Sequence, residues 1–172
     1  MNVAPAPAPI IVTALFGGED QAFFDQMRAK HFPPERDQLA AHLTLFHHLP
    51  PSLSPELDRR LAQVTRGVPA PGARLAGLID LGRGVAFRIE SPGLDDVRAA
   101  LADAFLPLLT PQDSVGWRPH VTIQNKVAPR EARSLKAELE RGFRPRDVRL
   151  AGLASWSYRG GPWEAIKAYK FA

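Results

Sequence analysis

At 172 residues, 45% hydrophobic and 23% charged, the chain has the composition of an ordinary soluble globular protein, long enough to bury roughly 70% of its unfolded surface. It contains no cysteine, which excludes disulfides, thiolate metal sites and a cysteine nucleophile, and no apolar run near the ~20 residues that a membrane span requires. The formal net charge is +4, but residues 1–90 balance 9 Lys/Arg against 9 Asp/Glu, whereas residues 114–172 carry 12 against 5. That excess of +7 suggests an anionic partner on the C-terminal side.

The opening "MNVAPAPAPI" has neither the basic start nor the apolar stretch of a signal peptide, so a cytoplasmic protein is expected, with residues 1–9 a flexible Ala/Pro-rich tail. "IIVTALF" (10–16) is β-branched and apolar and predicts a buried strand. "EDQAFFDQMRAKHF" (19–32) predicts a helix with Phe23 and Met27 a turn apart, ended by Pro33 and Pro34. A strand follows over 42–49. Over 54–67, Ser54 is expected to cap a helix that has Pro55 at its first position and Gly67 at its end. "ARLAGLIDLG" and "VAFRIE" read as a strand pair around Gly82 and Gly84, and Ser91-Pro92 opens an amphipathic helix over 91–109. The order then recurs: a strand at 120–127, a helix at 128–142, and a strand pair at 147–158 and 163–171.

The recurrence has a verbatim element, "RLAGL" at 74–78 and again at 149–153, at a similar distance behind "HLTLFHHLP" (42–50) and "HVTIQNKV" (120–127). We read two similar α+β lobes, each an antiparallel sheet with helices on its outer face. Side chains alternate along a strand, so His42 and Thr44 share one face while Leu43 and Leu45 share the other. In the second copy His120, Thr122, Gln124 and Lys126 point one way, and Val121 and Ile123 the other. An unpaired buried hydroxyl or imidazole costs about 1–3 kcal/mol, so the two polar faces are expected to line one cleft between the lobes. Two histidines across a cleft suit phosphodiester chemistry without metal. At neutral pH one can be a neutral base and the other a charged acid, while each threonine hydroxyl can donate to a non-bridging phosphate oxygen.

These two HxTx motifs, "HLTL" and "HVTI", resemble those of the 2H phosphoesterase superfamily, in particular the bacterial 2′-5′ RNA ligase-like proteins and RNA 2′,3′-cyclic phosphodiesterases. The resemblance runs from about Ile10 to Phe171. It implies a bilobal α+β domain over 10–172 with its cleft between pseudo-symmetric lobes. It also implies a metal-independent attack on 2′,3′-cyclic phosphates or related RNA ends, with possible reversal to 2′-5′ ligation. His42 and His120 would be catalytic, and Thr44 and Thr122 would bind phosphate. No cofactor is expected, and the partner is an RNA end or a small cyclic nucleotide. No membrane is involved, and a monomer is expected. The extra His47 and His48 depart from the family pattern.

Further substrate contacts are expected from His48 and Lys126, six residues past each motif histidine, from Gln124, and from Tyr158 near the C-terminal hairpin. Trp156 and Trp163 lie beside Tyr158, where a stacking platform competes with core packing. A zinc site on His42, His47 and His48 is the chemical rival; it is disfavoured because His47 opposes the other two on a strand and no cysteine or near carboxylate completes a set. The other rival is a non-catalytic RNA-end or nucleotide binding module of the same fold. Which histidine is base, and which cyclic phosphate is the natural substrate, stay open at the level of sequence.

Overall fold

β1 (Ile10–Phe16) leads into α1 (Gly18–His31), then β2 (Leu43–Leu49), α2 (Ser54–Thr65) and β3 (Gly72–Asp80). The succession repeats as β4 (Val85–Glu90), α3 (Pro92–Phe105), the short α4 (Pro111–Ser114), β5 (His120–Gln124), α5 (Pro129–Gly142) and β6 (Arg146–Ser157), and β7 (Glu164–Lys170) follows. The computed structural model describes residues 7–36 and 39–172, so most of the expected tail (1–6) lies outside the described residues. Of its last residues, Ala8 is buried and the Pro9 carbonyl accepts the Tyr158 N–H at 3.0 Å.

The strands form a seven-stranded antiparallel sheet in the order β2-β1-β6-β3-β4-β5, with β7 also on β6. The long β6 joins two halves. Its first residues pair with β3, and its later ones lie between β1 and β7. The two "RLAGL" copies fall in β3 and β6, whose pairing is itself symmetric. Since Arg74 and Arg149 begin the copies, Gly72 corresponds to Asp147 and Ala73 to Val148. Exchanging the repeats therefore turns the pair Gly72–Arg149 into Arg74–Asp147, and a pseudo-twofold axis passes through Ala73–Val148. Each repeat thus sends its last strand into the other's sheet, so the lobes are not the two halves of the sequence. The histidine strands β2 and β5 end as the two outer edges and lie beside each other in space.

Packing follows the alternation over the motifs. Leu43, Leu45, Val121 and Ile123 are fully buried in the main core with Phe24, Phe87 and Leu101. Each such side chain contributes about 1.5–3 kcal/mol relative to exposure. The helix ends differ in detail from expectation. Ser91 caps α3 as predicted, accepting the Leu94 N–H at 3.2 Å. Ser54 does not cap α2: a 3-10 turn over Pro51–Leu53 precedes it and moves the cap position to Leu53, which offers no side-chain acceptor. α3 stops at Phe105 rather than 109, where Pro107 lies in a further 3-10 turn. In α1 the buried positions are Phe24 and Arg28, with Phe23 and Met27 at the rim. The β3–β4 turn needs its glycines: Gly82 has φ +85°, and a Cβ on Gly84 would lie 1.9 Å from the Gln124 carbonyl oxygen. Among the described residues no helix is long and apolar enough to cross a membrane.

Candidate active site

His42 is the last residue before β2 and His120 the first of β5, so both rings sit where an edge strand begins. Each is oriented identically. His42 Nδ1 lies 2.8 Å from the Ala40 carbonyl and His120 Nδ1 lies 2.7 Å from the Arg118 carbonyl, two residues upstream in both cases. A carbonyl only accepts, so Nδ1 carries the proton in both rings and Nε2 is left with its lone pair in the neutral form. The loop into His42 is held from α1: Asp25 Oδ1 accepts the Ala41 N–H at 2.8 Å and Gln21 Nε2 donates to the Ala41 carbonyl at 2.8 Å. Thr44 and Thr122 follow two residues on, half-buried like the histidines, on the same face.

Just past each threonine the strand breaks register in the same way. Thr44 pairs with Thr13 but Phe46 with Val12; Thr122 pairs with Ala86 but Gln124 with Val85. A bulge at Leu45 and at Ile123 therefore ends the simple alternation. This corrects the sequence-based placement of the outlying candidates. Gln124, expected on the polar face, turns inward at 4% exposure, and Phe46 in the first copy is likewise buried at 0%. Gln124 lines a separate recess with His31, Arg130 and Ser134, where its Oε1 and His31 Nε2 are buried without a hydrogen-bond partner among the described residues. Lys126 adopts φ +62° in an exposed turn beside the C-terminal end of α1, which also ends the expected strand early. His48 is exposed, and its amide, with that of His47, donates to the buried Asp113 carboxylate. Tyr158 is exposed past the end of β6. None of these four lines the recess beside His42.

His47 Nδ1 lies 3.1 Å from Asp113 Oδ1, which ties it to α4. Burial alone would push the Asp113 carboxyl up, but the hydrogen bonds from the His47 ring and from both amides hold it below the usual carboxylate range. Among the described residues no group of three or more His, Cys, Asp or Glu is placed to hold a metal ion.

The surroundings of the two rings differ. The His42 ring centroid lies 4.5 Å from that of Trp163, itself 6.2 Å from Trp156, at the side of a recess of about 540 Å³ lined also by Thr13, Leu15, Pro162 and Lys170. Trp156 Nε1 donates to Thr13 Oγ1 at 2.9 Å, fixing that wall. Burial lowers the His42 pKa to about 4, opposed by the bond to Ala40 and reinforced by the nearby charges of Arg28, His120 and His47. At the other motif, the strand neighbour of His120 is Arg88, whose guanidinium also pairs with Glu90 at 2.5 Å. Sequence reasoning named Trp156 and Trp163 as candidates but had no signal for the carbonyl anchors, since main-chain acceptors carry no residue signature.

The family model for the 2′-5′ RNA ligase superfamily matches residues 16–162. No curated protein sequence matches the chain. Among solved structures, TT0787 of Thermus thermophilus is similar with a TM-score of 0.65 at 18% identity, covering 95% of this chain and 97% of that one. LigT of E. coli, complexed with 3′-AMP, is similar with a TM-score of 0.61 at 19% identity, covering 96% and 99%. LigT complexed with NADP+ gives a TM-score of 0.57 at 21% identity, covering 96% and 98%.

Proposed function

The chain belongs to the 2′-5′ RNA ligase superfamily, and from that premise we propose that it is a metal-independent phosphodiesterase acting on 2′,3′-cyclic phosphate RNA ends or related cyclic nucleotides. The observation that carries this reading is the matched pair of histidines, each with Nδ1 anchored to the carbonyl two residues upstream and each followed by a threonine on the same face. His42, with its pKa near 4, is neutral at physiological pH and is the base. Its Nε2 takes a proton from water as the water oxygen attacks phosphorus. The bond from phosphorus to one ribose oxygen breaks, and His120 gives that oxygen its proton. Thr44 and Thr122 donate to the non-bridging oxygens, where charge grows in the transition state. With a ribose 5′-hydroxyl in place of water the same forward steps join that oxygen to phosphorus while the bond to the 3′ oxygen breaks and the 3′ oxygen takes the proton, the sense of a 2′-5′ ligation.

The recess beside His42 takes the nucleobase. Trp163 and Trp156 offer flat apolar faces there, and stacking is tolerant of base identity. That LigT has been crystallised with 3′-AMP, NADP+ and ATP supports a nucleotide-sized substrate. The test is a panel of 2′,3′-cyclic mononucleotides, a cyclic-ended oligonucleotide and an ADP-ribose cyclic phosphate, with the product phosphate position read by ³¹P NMR. Turnover is expected without added metal. Tight binding of the same compounds with no turnover would replace the enzyme by a nucleotide-binding module.

A further inference from the structure

Edge strands leave a row of main-chain carbonyls without a neighbouring strand, and unpaired carbonyls in a packed interior are costly. β2 and β5 are both edges, and both are served by a buried guanidinium from the other repeat. Arg28, on the helix after β1, donates from an Nη to the Thr122 carbonyl on β5 at 3.1 Å. Arg98, on the helix after β4, donates from Nε to the Leu45 carbonyl on β2 at 3.1 Å and from an Nη to the Asp113 carbonyl at 2.6 Å. β1 and β4 are equivalent under the pseudo-twofold axis, as are β2 and β5, so each helix reaches the other repeat's motif strand, Arg28 at the motif threonine and Arg98 one residue beyond it. The arginines are 5% and 7% exposed, and each stacks on a ring: Arg28 lies 4.0 Å from the centroid of Phe32 and Arg98 lies 4.3 Å from that of Phe46. Trp117 Nε1 adds a bond to the Thr44 carbonyl at 3.0 Å.

A surface ion pair tolerates drift; a planar fork stacked on a ring and bonded to main chain does not. From these contacts we infer that Arg28 and Arg98 are positioning residues for the reaction, each clamping the edge strand that carries the other repeat's His-x-Thr motif. The inference rests on the proposed phosphodiester chemistry for what is being positioned, but not for the clamp itself. Arg28 has a second consequence. It bonds to the motif threonine of one half-site while its charge acts on the histidine of the other. The groups around His42 are Asp25 and Arg28 from α1, His120 from β5, His47 on its own strand, and Lys170 from β7 in the shared recess. Removing one cation from this set favours the protonated ring, so its titration moves upward.

The test uses the full chain with R28M, R28K and R98M, following kcat and KM on 2′,3′-cyclic AMP and the titration of the His42 ring by NMR. A 1 Å displacement of catalytic groups costs about 10²-fold. R28M should therefore lose about 10²-fold in kcat with little change in KM, and its His42 titration should shift upward. R28K keeps a charge without the fork, so it should keep the His42 titration and still lose most of kcat. R98M should lose kcat without moving His42, because Arg98 is not among the groups acting on that ring. A folded R28M with wild-type kcat and an unmoved His42 overturns the inference; if R28M does not fold, wild-type kcat in R28K does so. If the wild type turns over no cyclic phosphate, the functional reading fails instead, and the His42 titration in R28M still decides whether Arg28 joins the two half-sites.

Discussion

At the His42 half of the site, Thr44 faces Thr13 across the strand pair and the imidazole lies against Trp163; at the His120 half, Thr122 faces Ala86 and the ring's strand neighbour is Arg88. The parts that match are the histidine, its carbonyl anchor, the threonine and the bulge beyond it. The parts that differ lie just outside, an apolar aromatic recess on one side and a cation on the other. On the proposed function, duplication has kept what a single phosphorus atom would need from both sides and released the surroundings to handle the rest of the substrate. On this account, loss of a matched part should cost the same in either half, and loss of an unmatched part should not.

The matched threonines give the largest effect outside the histidines. Removing one preorganised donor to a developing oxyanion costs about 10²–10³ in kcat. Thr44→Val and Thr122→Val should each fall in that range and within error of each other, measured on a cyclic mononucleotide. A large loss in one and none in the other breaks the equivalence of the halves. EDTA should leave all of these rates unchanged.

The unmatched parts sharpen the comparison. W163A should weaken nucleoside substrates by about 1–3 kcal/mol, the range for one stacked base, while sparing a cyclic phosphate without a base. R88M should weaken both kinds, because it removes charge beside the phosphate rather than a surface for the base. W163A also uncovers His42, whose lowered pKa comes first from burial, so the acid limb of kcat/KM should move up from about pH 4. The sign for stability follows. With its folded pKa near 4 against 6.5 unfolded, the neutral His42 contributes stability above about pH 6.5 that is lost as pH falls toward 4. Denaturant titrations at pH 7 and pH 5 should show this loss in the wild type and a smaller one in H42Q.

The smallest effect concerns the basic C-terminal region. A cyclic-ended oligonucleotide should bind with a steeper salt dependence than a mononucleotide, by about 0.7 in slope per phosphate contact. Charge reversal at the exposed Arg130, Arg133 or Arg144 should reduce that slope. Arg146 is a poorer probe, since it is paired with Asp20 at 2.7 Å. Equal slopes for long and short substrates would make the region an ordinary solvated surface and the natural substrate a small nucleotide.

Much of the candidate site's geometry was legible because strand alternation is local. "HLTL" and "HVTI" each put a polar pair on one face and an apolar pair on the other, and the structure keeps that arrangement. Alternation failed one residue later, at the bulges of Leu45 and Ile123, and in β2 the register shifts again between Phe46 and Leu49, so the parity that assigned His48, Gln124 and Lys126 to the cleft did not survive. A bulge is set by how two strands meet, and neither strand's sequence shows it alone. The repeated "RLAGL" disclosed the duplication but not the exchange of β3 and β6 between sheets, which depends on pairing far along the chain. Arg28 and Arg98 were hidden for a related reason: a charged residue on a helix reads as solvated until the carbonyl it serves is located 94 or 53 residues away.

The central claim, that the two half-sites act together on one phosphorus, is tested most directly by kcat/KM for H42A, H120A and the double variant on a 2′,3′-cyclic mononucleotide. Each single substitution should cost about 10²–10⁴-fold. If base and acid serve one transition state, the double variant should be little slower than the worse single one. A double loss equal to the product of the two single losses would mean that the histidines act independently and would contradict the account.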